Sequence, residues 1–76
     1  MRLQRRIGGE KMNLKTLRRV KLLTQTELAS RAEIHRSMIG RYEAGVSAPS
    51  APVLLKLARA LGTTVDALLA DEPDTA

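Results

Sequence analysis

Residues 24–43 read TQTELASRAEIHRSMIGRYE, and this stretch decides how the rest of the chain is understood. Its opening, Thr24-Gln25-Thr26-Glu27, is a capping box. The Thr24 hydroxyl accepts from the Glu27 backbone N–H while the Glu27 carboxylate accepts from the Thr24 N–H, so two donors orphaned at a helix start are satisfied together. A helix of about two turns follows, with Leu28, Ala29 and Ala32 inward and Ala29 small enough for another helix to cross closely above it. Glu33-Ile34-His35 then forms a three-residue link before a further helix over residues 36–43. On a wheel of about 100° per residue, Arg36, Gly40, Ser37 and Arg41 share an arc of about 140°, and Met38, Ile39 and Tyr42 take the opposite side. The apolar side is expected to bury against the helices before and after it. The other side offers two guanidinium groups, a short hydroxyl and bare backbone at Gly40.

Working outward, Asn13 is placed to cap a first helix that runs to about Leu22, with Leu14 and Leu17 on one face with Arg18 and Lys21. Downstream, Gly45 and Pro49 end the helix over residues 36–43 from outside. Ser50 caps a fourth helix that has Pro52 in its first turn, where a missing N–H does no harm. Leu54, Leu57, Ala58 and Leu61 form its apolar stripe, and Gly62 stops it. Thr64 caps a short fifth helix through about Ala70, with Val65, Leu68 and Leu69 apolar. No β-branched alternation of strand length and no internal repeat is visible, so the expected class is all-α with five helices. Residues 1–12, MRLQRRIGGEKM, read as a flexible basic arm, or as an upstream extension if Met12 is the natural start. Residues 13–70 form the folded domain, and residues 71–76 an acidic tail expected to be disordered.

Composition narrows the function. A chain of 76 residues buries only about 60% of its unfolded surface, which suits one small domain. It has no cysteine, so disulfides and thiolate metal sites are excluded and a reducing cytoplasm is favoured. The longest apolar stretch, Val53-Leu54-Leu55, stops at Lys56, far short of the ~20 residues that span a bilayer. No membrane association or export is expected. The net charge is +5, with 11 basic and 4 acidic side chains in residues 1–43 against 2 and 4 in residues 44–76, so the front half attracts polyanions. One histidine, no cysteine, no paired carboxylates facing a cleft and no glycine-rich phosphate loop leave no catalytic set. No enzyme, cofactor or metal is expected, and a lone His35 is read as a surface residue.

Two short helices crossed over a three-residue turn have the geometry of a helix-turn-helix, whose second helix enters the major groove of duplex DNA. The run LRRVKLLTQTELASRAEIHRSMIGRYEAG with SAPSAPVLLKLARALGTTVDALL resembles the phage repressor and Cro-like helix-turn-helix family, the XRE family, over residues 13–70. The matching features are Arg18, the TQxELA at 24–29, Ile39, Glu43 followed by Gly45, Pro49, the LLKLARALG at 54–62 and the VDALL at 65–69. The resemblance implies a five-helix, lambda-repressor-like domain that binds operator DNA, usually as a two-fold dimer. It implies that Gln25 contacts a phosphate and that Arg36, Ser37, Gly40 and Arg41 face bases or the adjoining backbone. Arg18 and Glu43 resemble the family's partly buried ion pair, which orients the reading helix. The fourth and fifth helices carry the family's dimer contact, here Leu55, Leu68 and Leu69. Members often have Gly where Leu22 and Glu33 stand, so either the turn around Glu33 avoids a positive φ or Glu33 tolerates strain.

Further phosphate contacts are expected from Arg19, from Ser47 in the loop 44–50, and from His35, which alternatively caps the helix that follows it. The expected partners are double-stranded DNA and a second copy of the chain. The leading function is a repressor on a near-palindromic operator. A protein partner enters through the competing reading, an antitoxin that neutralises a co-encoded toxin and also binds its own operator. A restriction-modification controller and a chromosomal regulator fit the same residues.

Overall fold

The computed structural model describes residues 12–70, so the basic arm, apart from Met12, and the acidic tail at 71–76 lie outside the described residues. Five helices follow in order: α1 Leu14–Val20, α2 Gln25–Ala32, α3 Arg36–Ala44, α4 Ala51–Leu61 and α5 Val65–Leu69. There is no strand among the described residues. Three of the expected caps form: Glu27 N–H donates to Thr24 Oγ1 at 3.0 Å and Thr24 N–H to Glu27 Oε1 at 2.8 Å, completing the capping box. Val53 N–H donates to Ser50 Oγ at 3.4 Å and Ala67 N–H to Thr64 Oγ1 at 3.0 Å.

Four helices end in the same way. A residue in the left-handed region follows the last turn, and the next N–H reaches back five residues: Leu23 to the Arg18 carbonyl at 3.1 Å, Ile34 to Ala29 at 3.0 Å, Val46 to Arg41 and Thr63 to Ala58 at 2.9 Å. Gly45 and Gly62 supply that residue after α3 and α4, at φ 78° and 65°. After α1 and α2 it is Leu22 and Glu33, at φ 59° and 60°, where a Cβ makes the conformation costly. The turn around Glu33 therefore keeps its positive φ and carries the strain.

Asn13 holds the N-cap position of α1, its carbonyl accepting from Leu17 N–H at 3.2 Å, but its side chain is used elsewhere. Its side chain makes no hydrogen bond to the first turn of α1. Its backbone N–H donates to the Leu68 carbonyl at 2.9 Å, and its Nδ2 to the Ala67 carbonyl at 3.4 Å. It occupies the unsatisfied carbonyls at the end of α5, joining the first helix to the last. α1 ends at Val20, before its expected end at Leu22, because Leu22 takes the left-handed conformation that closes the helix.

The core consists of Leu14, Leu23, Leu28, Ala29, Ala32, Ile39, Tyr42, Leu57, Ala58, Leu61 and Leu68. Burying a leucine fully is worth about 1.5–3 kcal/mol, so this short set carries most of the fold. α2 lies at the centre, packed on α3 and on α4, and its buried Ala29 and Ala32 allow both to come close. α3 rests chiefly on α2 with α1 beside it, and α5 lies on α4. One expectation is corrected: Leu68 is 0% exposed, sealed beneath α5, and is core rather than dimer surface. Its neighbour Leu69 and Leu55 on α4 are 54% and 49% exposed.

Candidate nucleic-acid interface

α3 begins after the turn at Glu33 and is pinned from behind. Ile39 is wholly buried, Tyr42 nearly so, and Met38 half-buried against the core. Helical geometry then leaves Arg36, Ser37 and Arg41 on the outside, and all three are exposed. Gly40 sits among them half-buried, and a Cβ built there would meet no atom within 4 Å. The helix thus offers two guanidinium groups, one hydroxyl and a stretch of uncovered backbone on a single face. Arginine is the commonest bidentate reader of guanine O6 and N7, and a missing side chain lets a groove wall come close.

The rear of α3 is held by an ionic cluster. Arg18 Nε donates to Glu43 Oε2 at 2.7 Å, Arg18 Nη2 to Glu43 Oε1 at 3.2 Å, and Arg18 Nη1 to the Leu23 carbonyl at 2.8 Å. The side chains are only 12% and 5% exposed. The hydrogen bond to Glu43 raises the Arg18 pKa above the ordinary arginine value; burial opposes this and the Glu43 charge adds to it. Gln25 joins from the first turn of α2, its Nε2 donating to Glu43 Oε1 at 3.1 Å. One carboxylate at the end of α3 therefore ties down the end of α1 and the start of α2.

This places Gln25 differently from a free amide. One N–H of its NH₂ group is spent on Glu43, which fixes the direction of the amide. Arg19 is exposed on α1 and His35 is exposed at the start of α3. The His35 imidazole makes no capping bond to α3; Met38 N–H bonds instead to the His35 carbonyl at 3.0 Å. Ser47 is half-buried, and its Oγ accepts from Arg41 Nε at 3.1 Å. Arg41, although exposed, is therefore already engaged with the loop.

Sequence reasoning missed three contacts: Gln25 to Glu43, Arg41 to Ser47, and Asn13 to α5. The pairs span 18, 6 and 54 residues, and a polar side chain's partner across a crossing has no periodic signal in the chain. Among the described residues no group of three or more His, Cys, Asp or Glu is placed to hold a metal ion, and no helix is long and apolar enough to cross a membrane.

A tight turn between two crossed helices, with the second presenting cationic side chains outward, defines a helix-turn-helix domain of the DNA-binding kind. The family model described as helix-turn-helix matches residues 14–68, from the first residue of α1 to the last turn of α5. The chain belongs to the XRE-family, Cro/C1-type helix-turn-helix proteins, which are DNA-binding transcriptional regulators, and its five helices are consistent with the lambda-repressor-like fold. No curated protein is similar enough to the chain to serve as a relative.

Proposed function

We propose that the chain is a sequence-specific repressor that binds a near-palindromic operator as a homodimer, each copy placing α3 in the major groove. The observation that carries this reading is the division of α3 described above. Ile39 and Tyr42 lock the helix from one side, while Arg36, Ser37 and Arg41 stand exposed around an open Gly40 on the other. In this reading Arg36 and Arg41 contact base edges with Ser37 and the Gly40 backbone beside them. Gln25, Arg19, His35 and Ser47 lie along the flanking phosphates.

Exposed apolar surface where the loop after α3 meets Leu54 of α4 and Leu69 of α5 supports pairing. A groove of about 450 Å³ is lined by Met12, Val46, Pro49, Leu54 and Leu69 among others. Val46 and Leu69 on its edge are 64% and 54% exposed. Contiguous apolar surface of this kind marks a contact with another molecule, and a two-fold pair is the commonest closed solution. Two reading helices in such a pair sit about 34 Å apart, one turn of the duplex.

Selection from a randomised duplex pool, followed by gel-shift titration and sedimentation of the free and bound protein, tests the proposal. Enrichment of an inverted repeat bound by two copies is expected. Equal affinity for every duplex at moderate salt would reject it, because phosphate contacts alone carry no sequence information.

A further inference from the structure

The last turn of α3 and the loop after it are tied twice. The Arg41 carbonyl accepts from Val46 N–H at 2.9 Å and from Ser47 N–H at 3.4 Å, closing the turn at the left-handed Gly45. The side chains repeat the connection, with Arg41 Nε donating to Ser47 Oγ at 3.1 Å. Backbone and side chain together fold residue 47 over residue 41. Arg36, the other exposed guanidinium of the helix, has no hydrogen-bonded partner among the described residues.

We propose that Ser47 is a positioning residue for Arg41, selecting how that arginine presents itself to a base; the proposal rests on reading α3 as the DNA-reading helix. A guanidinium approaches a paired acceptor edge either end-on, through its two Nη groups, or side-on, through Nε and one Nη. Engaging Nε with Ser47 removes the side-on mode and leaves the two Nη groups, with four N–H, for an end-on pair. The restraint also acts on entropy. A free arginine surrenders several torsions when it docks, whereas one already held near its binding geometry surrenders fewer. Ser47 keeps its own hydroxyl hydrogen, so engagement with Arg41 still permits donation to a phosphate. What separates positioning from a phosphate contact is where the effect appears: positioning acts at the base pair read by Arg41 and only while Arg41 is present.

The test uses the full chain and the duplex that the wild type enriches from a randomised pool. Dissociation constants for that duplex and for its single-base-pair variants are measured for wild type, Ser47→Ala, Ser47→Thr, Arg41→Ala and the Ser47→Ala/Arg41→Ala double variant. Discrimination is read as a ratio of affinities for two duplexes, so a partly unfolded preparation cancels. Ser47→Ala is expected to lose roughly two- to tenfold in discrimination at the base pair that Arg41→Ala identifies, the range of one modest hydrogen bond. Ser47→Thr, which keeps the hydroxyl, is expected to retain it, and Ser47→Ala is expected to add nothing there once Arg41 is gone. Uniform weakening of all duplexes by Ser47→Ala, or a position-specific loss that persists without Arg41, overturns the inference. Preferences unchanged by Arg41→Ala overturn it too, while a wild type that enriches no site rejects the regulator reading itself.

Discussion

Arg18 and Glu43 stand 25 residues apart and meet through two parallel hydrogen bonds, Nε to Oε2 at 2.7 Å and Nη2 to Oε1 at 3.2 Å. The fork geometry suits a planar guanidinium facing a carboxylate, and the remaining Nη1 is taken up by the Leu23 carbonyl. This pair fixes the end of α3 against α1, and with Gln25 it joins α1, α2 and α3 behind the exposed face of α3.

Removing one member leaves the other charge nearly buried without its partner. Arg18→Met and Glu43→Leu are each expected to cost about 3 kcal/mol or more in urea-unfolding titrations. The double variant Arg18→Met/Glu43→Leu is expected to be more stable than the sum of the two losses, because it leaves no charge buried without a partner. Strict additivity in that cycle would show that the two residues do not act as a pair.

The two helix ends closed by non-glycine residues are places where the fold is strained. Leu22→Gly and Glu33→Gly are each expected to stabilise by about 1 kcal/mol, raising the melting temperature by roughly 4–8 °C in a domain of this size. The converse change, Gly62→Ala, is expected to cost about 1 kcal/mol from backbone strain alone, since the added Cβ would meet no atom within 4 Å. Calorimetry on the three variants checks the signs.

At Gly40 stability and binding are expected to move in opposite directions. Alanine there enters open space inside a helix and is favoured by about 1 kcal/mol over glycine, so Gly40→Ala melts higher than wild type. Its methyl stands where the groove is proposed to approach, so operator affinity falls. A variant both more stable and equally tight would show that no surface comes close at that residue.

Arg36→Ala and Gln25→Ala separate reading from anchoring. Arg36→Ala is expected to lose about 1–3 kcal/mol of preference at one base pair. Gln25→Ala is expected to weaken operator and random duplex alike with little change in salt slope, since the side chain is uncharged. It is also expected to lower stability modestly, because Glu43 loses a donor. Titrations at several salt concentrations distinguish the two patterns.

Adjacent leucines on α5 give contrasting variants. Leu68→Ala opens a cavity under the helix and is expected to cost about 2–5 kcal/mol of folding free energy. Leu69→Glu, at an exposed position, is expected to leave the melting temperature nearly unchanged while shifting sedimentation from dimer to monomer. A Leu69→Glu protein that sediments like wild type would move the pairing surface elsewhere.

What was legible in the chain was what repeats along it. The apolar positions of α2, α3 and α4 follow the helical period, so Leu28, Ile39 and Leu57 could be assigned to the interior and Arg36 to the outside. Local caps such as Thr24 with Glu27 could be read because donor and acceptor lie three residues apart. The burial of Leu68 is not legible because α5 is only five residues long. So short a helix gives too little periodicity to tell which of two neighbouring leucines faces in. The Asn13 side chain escapes sequence reasoning for a related reason: at an N-cap it suits both the helix after it and donation to a distant carbonyl, and only the packing of α5 decides.

That same Asn13 places the point where the chain enters the described domain one hydrogen bond from the point where it leaves, since its N–H bonds to Leu68 at 2.9 Å. A pull applied through both ends loads this clasp before it reaches α3. A short peptide bridging residue 70 to residue 12 would close the domain into a ring.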